Sequence, residues 1–137
     1  MQTFLPHPSF SNSARDLDNK RLGKQRVEAY QILRTLSGMS KGWVNHPATR
    51  MWRGYERALS NYLRVMIAEW VSRGFKNTMD IPLYDEGAPM PPWFGDDRVH
   101  SSHRANLKRK DPVYYAKYTE DPTTPYFWPT VQETSNV

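Results

Sequence analysis

The clearest periodicity in the chain lies between Met51 and Trp70. Met51, Tyr55, Ala58, Leu59, Tyr62, Val65, Met66 and Trp70 recur at three- and four-residue spacing, which places them on one face of an α-helix. Pro47 suits the first turn, where its missing N–H loses no bond, and Gly74 suits a left-handed stop. The pattern predicts one long helix over 47–74, the spine of the fold, with Asn45 or His46 at its cap. A second stripe of Leu22, Ala29, Leu33 and Leu36 predicts an earlier helix that starts between residues 13 and 16 and ends at Gly38. Followed back toward the N-terminus, that stripe meets Arg26, Gln25, Asp18 and Arg15. Charge turned toward an interior costs free energy unless it is paired or used. This face is therefore expected to leave the core and line a cleft. The alternative is a solvated helix end with Asp18 and Arg26 as surface groups.

The remaining pattern is less regular. Residues 1–12 carry Pro6 and Pro8 and read as an extended lead-in. Residues 76–97 carry Pro82, Pro89, Pro91, Pro92, Gly87 and Gly95, which predicts an irregular segment. Its length for a compact domain points to function or mobility, and it is expected to help form a pocket. A short basic helix is predicted over 99–110, with one or two further turns between Asp111-Pro112 and Tyr118. The tail holds Pro125-Tyr126-Phe127-Trp128-Pro129, aromatics that can pack back onto the body, and its last few residues are expected to be disordered. The sum is an all-α, compact single-domain helical bundle with long loops, a body over about 1–118 and a tail over 119–137.

Composition narrows the chemistry. With 137 residues the chain can bury one real core and is too short for two. There are no cysteines, which excludes disulfides and thiolate metal sites, and the four histidines lack the spacing of a helical zinc motif. No metal or other cofactor is expected. No apolar run approaches the ~18 residues of a membrane span, and the N-terminus lacks signal-peptide character. A reducing, cytoplasmic setting is the default expectation, with no membrane partner and a monomeric state. The net charge of +5 and pI of about 9.6 direct attention to a polyanionic partner.

The positive charge is concentrated. Residues 98–110 contain Arg98, His100, His103, Arg104, Lys108, Arg109 and Lys110 without an acid, and the first predicted helix adds Arg15, Lys20, Arg21, Lys24 and Arg26. Two such elements in a small bundle can form one phosphate-binding surface, to which Ser101 and Ser102 could add backbone N–H groups. Solvated basic faces are the plainer alternative. The loop Gly42-Trp43-Val44-Asn45-His46-Pro47 could supply a stacking plate and polar readers for an extruded base. On spacing alone the simpler reading is preferred, in which Asn45 caps the helix and Trp43 staples the loop.

These motifs in their order resemble a known family. The Met-led start with His7-Pro8, the polar first helix, Asn45-His46-Pro47, the helix ending Glu69-Trp70-Val71-Ser72-Arg73-Gly74-Phe75, and the late run from His103 to Asp111-Pro112 and Tyr115 resemble the pyrimidine-dimer DNA glycosylases of the endonuclease V type. The resemblance extends from Met1 to about Tyr118. It implies a helical protein that binds double-stranded DNA, flips a base, removes it and nicks the abasic site. In that chemistry an N-terminal α-amine attacks the sugar C1′ and forms an imine beside a carboxylate, without a metal. An α-amine suits the step because a useful fraction is neutral near pH 7.

Carried onto this chain, the resemblance implies Met1 as nucleophile, since Gln2 is too bulky to favour removal of the initiator. Arg21 and Arg26 match the phosphate-contacting arginines, and Asn45, His46, His103, Arg104, Lys108 and Arg109 join Arg15 and Lys24 as expected DNA contacts. The family's catalytic Glu follows an Arg on the first helix, and that position here is Lys20, Arg21 or Leu22. Asp18 is the expected substitute, and Lys20 an alternative imine-former if its cationic neighbours lower its pKa, although by wheel angle it points away from the apolar stripe. The expected function is base excision on damaged or modified pyrimidines with abasic-site lyase activity. The alternatives are another reaction on a flipped base, or DNA binding without catalysis.

Overall fold

The computed structural model describes residues 2–129. They form five helices and, among the described residues, no strand: α1 (Phe10–Asp16), α2 (Asn19–Leu36), α3 (Pro47–Trp52), α4 (Glu56–Ser72) and α5 (Asp97–Lys110). The all-α expectation holds, and no helix is long and apolar enough to cross a membrane. The expected disorder at the extreme C-terminus falls outside the described residues.

Both long predicted helices are broken, each for a packing reason. The first breaks at Leu17 and Asp18, whose backbones are extended. Leu17 is thereby fully buried, and the Asp18 N–H reaches the Tyr115 hydroxyl at 2.9 Å. The second breaks at Arg53-Gly54-Tyr55, where Gly54 takes φ +87, a conformation open to glycine at little cost. That turn lets Trp52 sit fully buried edge-on to Trp93 at 5.0 Å while α4 sets off in a new direction.

Packing is centred on α4, which lies against both α2 and α1. The buried positions of α2 are Leu22, Gln25, Ala29, Ile32 and Thr35, so its inward stripe is rotated from the one that Leu33 and Leu36 define. Gly23 permits the close approach of α4, because a Cβ there would lie 2.8 Å from the Trp70 ring. The lead-in, residues 2–6, is buried along the bundle, and α5 holds it: His103 Nδ1 accepts from the Leu5 N–H at 2.9 Å, and His100 Nδ1 lies 2.8 Å from the Leu5 carbonyl.

The irregular segment is tied across α4. Asn61 exchanges two 2.8 Å bonds with the Asp85 backbone, and Arg64 donates to the Pro82 carbonyl at 2.9 Å. Beyond α5, residues 112–118 form hydrogen-bonded turns rather than another helix. Tyr126, Phe127 and Trp128 then return to pack on the core, as expected of the tail.

Candidate active site

On α2, Lys20, Arg21, Lys24, Gln25 and Glu28 share one face, since they fall at i, i+1, i+4, i+5 and i+8. This face forms one wall of a cavity of about 320 Å³. Lys110, the last residue of α5, comes from the opposite side, and Gln2, Phe4 and Tyr126 complete the lining. Four chain segments far apart in sequence thus meet around cations and one carboxylate.

The carboxylate is Glu28. Its Oε2 accepts from the Gln25 side-chain amide at 3.1 Å, and the backbone N–H of Gln2 is directed at it from 3.4 Å. Gln25 is itself buried, and its Oε1 accepts from the Phe4 N–H at 2.9 Å and lies 2.8 Å from the Tyr62 hydroxyl. One buried amide therefore fixes the extended lead-in and holds Glu28 beside the Gln2 N–H. Burial pushes the Tyr126 hydroxyl up to about 12, so the phenol is neutral. Lys110 is held below the ordinary lysine range, first by desolvation and then by Arg21, Lys24 and Arg109, with Glu28 pulling the other way.

The residues singled out from sequence divide into two groups. Lys20, Arg21 and Lys24 line the cavity together. Asp18 does not: its Oδ1 accepts from the Tyr115 hydroxyl at 2.5 Å and its Oδ2 pairs with Arg21 at 3.1 Å, so the expected cleft of Asp18, Arg26, Asn45 and His46 is corrected. Arg26 faces α4, with its guanidinium 4.4 Å above Trp70 and Nη1 donating to Asn77 at 2.8 Å. Arg15 is exposed at the end of α1 and bonded to Asn12. Met1 lies outside the described residues.

On α5 the expected phosphate contacts are mostly engaged within the protein. His103 is fully buried and neutral, its pKa pushed down to about 3 by burial, with His100 and Arg104 adding to the effect. Arg104 pairs with Glu120 at 2.8 Å and donates to the Pro6 carbonyl at 2.7 Å. Lys108 donates to the Tyr118 carbonyl at 2.8 Å, and Arg109 to the Pro122 carbonyl at 3.3 Å and to Asn106. Ser101 and Ser102 lie inside the helix, so their backbone N–H groups are not available to an anion. The helix cap before Pro47 is His46, whose Nδ1 accepts from the Ala48 N–H at 3.0 Å, and Asn45 stays exposed on the loop. His46 stands edge-on between Trp43 and Trp128, at 5.6 and 5.9 Å.

Sequence reasoning missed Glu28 and Tyr126, and it had Gln25 only as part of the inward stripe and Lys110 only as part of the basic stretch 98–110. A signal for Glu28 was present: with Gln25 kept inward and Arg26 turned off the stripe, Glu28 follows on the same flank as Arg21 and Lys24. No local pattern announces that Lys110 or Tyr126 reaches α2. The irregular segment 76–97 does not line this cavity either. It borders a second groove of about 410 Å³ with Phe10, Val65, Asp85, Glu86 and Phe94, whose charged lining is acidic and unsuited to a polyanion.

Against known proteins, a family model described as pyrimidine dimer DNA glycosylase matches residues 1–83. No curated protein and no solved structure shows a significant match to the chain.

Proposed function

The chain belongs to the pyrimidine dimer DNA glycosylase family, and from that premise we propose that the cavity between α2 and α5 is the site at which a damaged or modified pyrimidine in double-stranded DNA is excised and the abasic product nicked. The observation that carries the reading is the contact of Glu28 with the Gln2 N–H at 3.4 Å in a cavity lined by cations. The α-amine of Met1 attacks C1′ of the target nucleotide, and the N-glycosidic bond breaks as the base departs. Glu28 stabilises the cationic imine and takes the C2′ proton during elimination. Lys20, Arg21 and Lys24 hold the flanking phosphates, with Arg21 kept in position by Asp18. In this reading Glu28 replaces Asp18 as the working carboxylate, and no metal or cofactor takes part.

Borohydride trapping on duplexes containing a pyrimidine dimer or an abasic site tests it. A covalent protein–DNA adduct and strand incision are the expected results. Binding without either would leave a DNA-binding protein and sink the catalytic reading.

A further inference from the structure

Among the described residues, three lysines line the cavity, and one of them, Lys110, has a setting suited to covalent chemistry. Lys110 closes α5 and lines the same cavity as Glu28. Among the described residues it makes no hydrogen bond or ion pair, unlike Lys108 and Arg109 beside it. It faces Arg21, Lys24 and Glu28 from α2, while Arg109 acts from its own helix. Desolvation and the neighbouring cations lower the Lys110 pKa from the ordinary lysine value, which favours the neutral amine, the form that acts as a nucleophile. Lys20 and Lys24 of α2 line the same cavity and are exposed, as Lys110 is; what distinguishes Lys110 is its place at the end of α5 beside Arg109, facing Arg21, Lys24 and Glu28.

We propose that Lys110 is a second imine-forming residue, acting on the open-chain aldehyde of an abasic site in DNA. This rests on the assignment of the cavity to abasic DNA and extends it to an amine outside the matched residues. The Lys110 Nζ adds to the aldehyde carbon C1′, and the carbonyl oxygen takes a proton to give a carbinolamine. Loss of water leaves a protonated imine. A proton then passes from C2′ to Glu28, and the C–H electron pair forms the C1′=C2′ double bond of an enamine as the C=N π pair returns to nitrogen; that pair then re-forms C=N, the C1′=C2′ pair shifts to C2′=C3′, and the 3′-phosphate leaves C3′ with the C3′–O pair. Water hydrolyses the imine, which frees the lysine and an unsaturated aldehyde. A pre-formed abasic site could therefore be nicked independently of the amine at residue 1.

The test uses the full chain and a duplex with one pre-formed abasic site. The unaltered protein is first trapped with borohydride and the modified residue located by peptide mass spectrometry. The experiment is repeated on a chain extended by a few residues ahead of Met1. The expected result is an adduct on Lys110 in both proteins, with trapping by the extended chain reduced at least roughly tenfold in Lys110→Arg, which keeps the charge but lacks the nucleophile. An adduct confined to residue 1, an adduct mapped to another lysine, or undiminished trapping by Lys110→Arg in the extended chain would each overturn the proposal while leaving the lyase reading intact. Absence of any adduct from the unaltered chain would overturn both.

Discussion

Glu28 and Asp18 are two carboxylates associated with α2, and their surroundings give them different work. Glu28 accepts an amide bond from Gln25 at 3.1 Å, faces the Gln2 N–H and lines an open cavity. Asp18 is engaged by the Tyr115 hydroxyl at 2.5 Å and by Arg21 at 3.1 Å. Glu28→Gln keeps the shape and the acceptor oxygen but removes the base. It is expected to lower incision by about 100-fold or more, the usual scale for a general base, with DNA affinity little changed. Tyr115→Phe leaves the Asp18 N–H and carboxylate short of a partner. It is expected to lower stability by about 1–3 kcal/mol in urea unfolding, while activity per folded molecule persists. Full stability in that variant would show that the bond holds nothing in place.

At the scale of elements, the seam between α2 and α4 determines which face of α2 meets the cavity. Gly23 sits under Trp70, which is stacked on Phe75 at 4.2 Å and bonded through Nε1 to the Lys76 carbonyl at 3.0 Å, so the ring has little freedom to retreat. Gly23→Ala would bring a Cβ to 2.8 Å from that ring. The gain in helix propensity, about 1 kcal/mol, should be outweighed by an overpacking cost of about 1–3 kcal/mol. A lowered Tm is the expected outcome, and a raised one would mean the seam yields. Arg26, stacked on the same ring, belongs to this seam and not to the cavity wall. The helix breaks at Leu17–Asp18 and at Gly54 have a similar origin: each gives up continuity to bury a side chain, Leu17 in one case and Trp52 in the other.

For the whole molecule, two bulk variables should separate structural charge from binding charge. His103 is buried neutral with its pKa near 3 against an ordinary 6.5. The unfolded chain therefore takes up a proton below pH 6.5 that the folded chain refuses. Stability is fully present above pH 6.5 and is lost as the pH falls toward 3. At about 1.4 kcal/mol per pH unit, His103 accounts for a loss of about 3 kcal/mol between pH 6.5 and 4.5. His100, also shifted down by burial, adds to it. Urea unfolding across this range checks the slope, and His103→Gln should flatten it. Ionic strength reads the other charges. If Lys20, Arg21 and Lys24 each contact a phosphate, log affinity should fall with log salt with a slope of about −3 or steeper. Alanine at all three positions should flatten that slope. Arg104→Ala should instead lower stability and leave the slope unchanged, because Arg104 is tied to Glu120 and the Pro6 carbonyl.

The pattern of residues along the chain determined the helical class, the core of α4, the stop at Gly74 and the family resemblance from Met1 to about Tyr118. These depend on short-range periodicity and local motifs, which a linear reading contains. It also placed Lys20, Arg21 and Lys24 together, because one helix face is a local property. Only the tertiary structure decided which charges were available. A wheel centred on Leu33 and Leu36 turned Arg26 inward, whereas packing on α4 rotated the buried stripe to Gln25 and Ile32 and brought Glu28 into view. His103, Arg104 and Lys108 look like free cations or switchable groups in sequence, yet Leu5, Pro6, Glu120 and Tyr118 engage them across long separations. Lys110 and Tyr126 reach the cavity because the fold brings the end of α5 and the returning tail onto α2, a juxtaposition of segments distant in the chain that neighbouring residues do not specify.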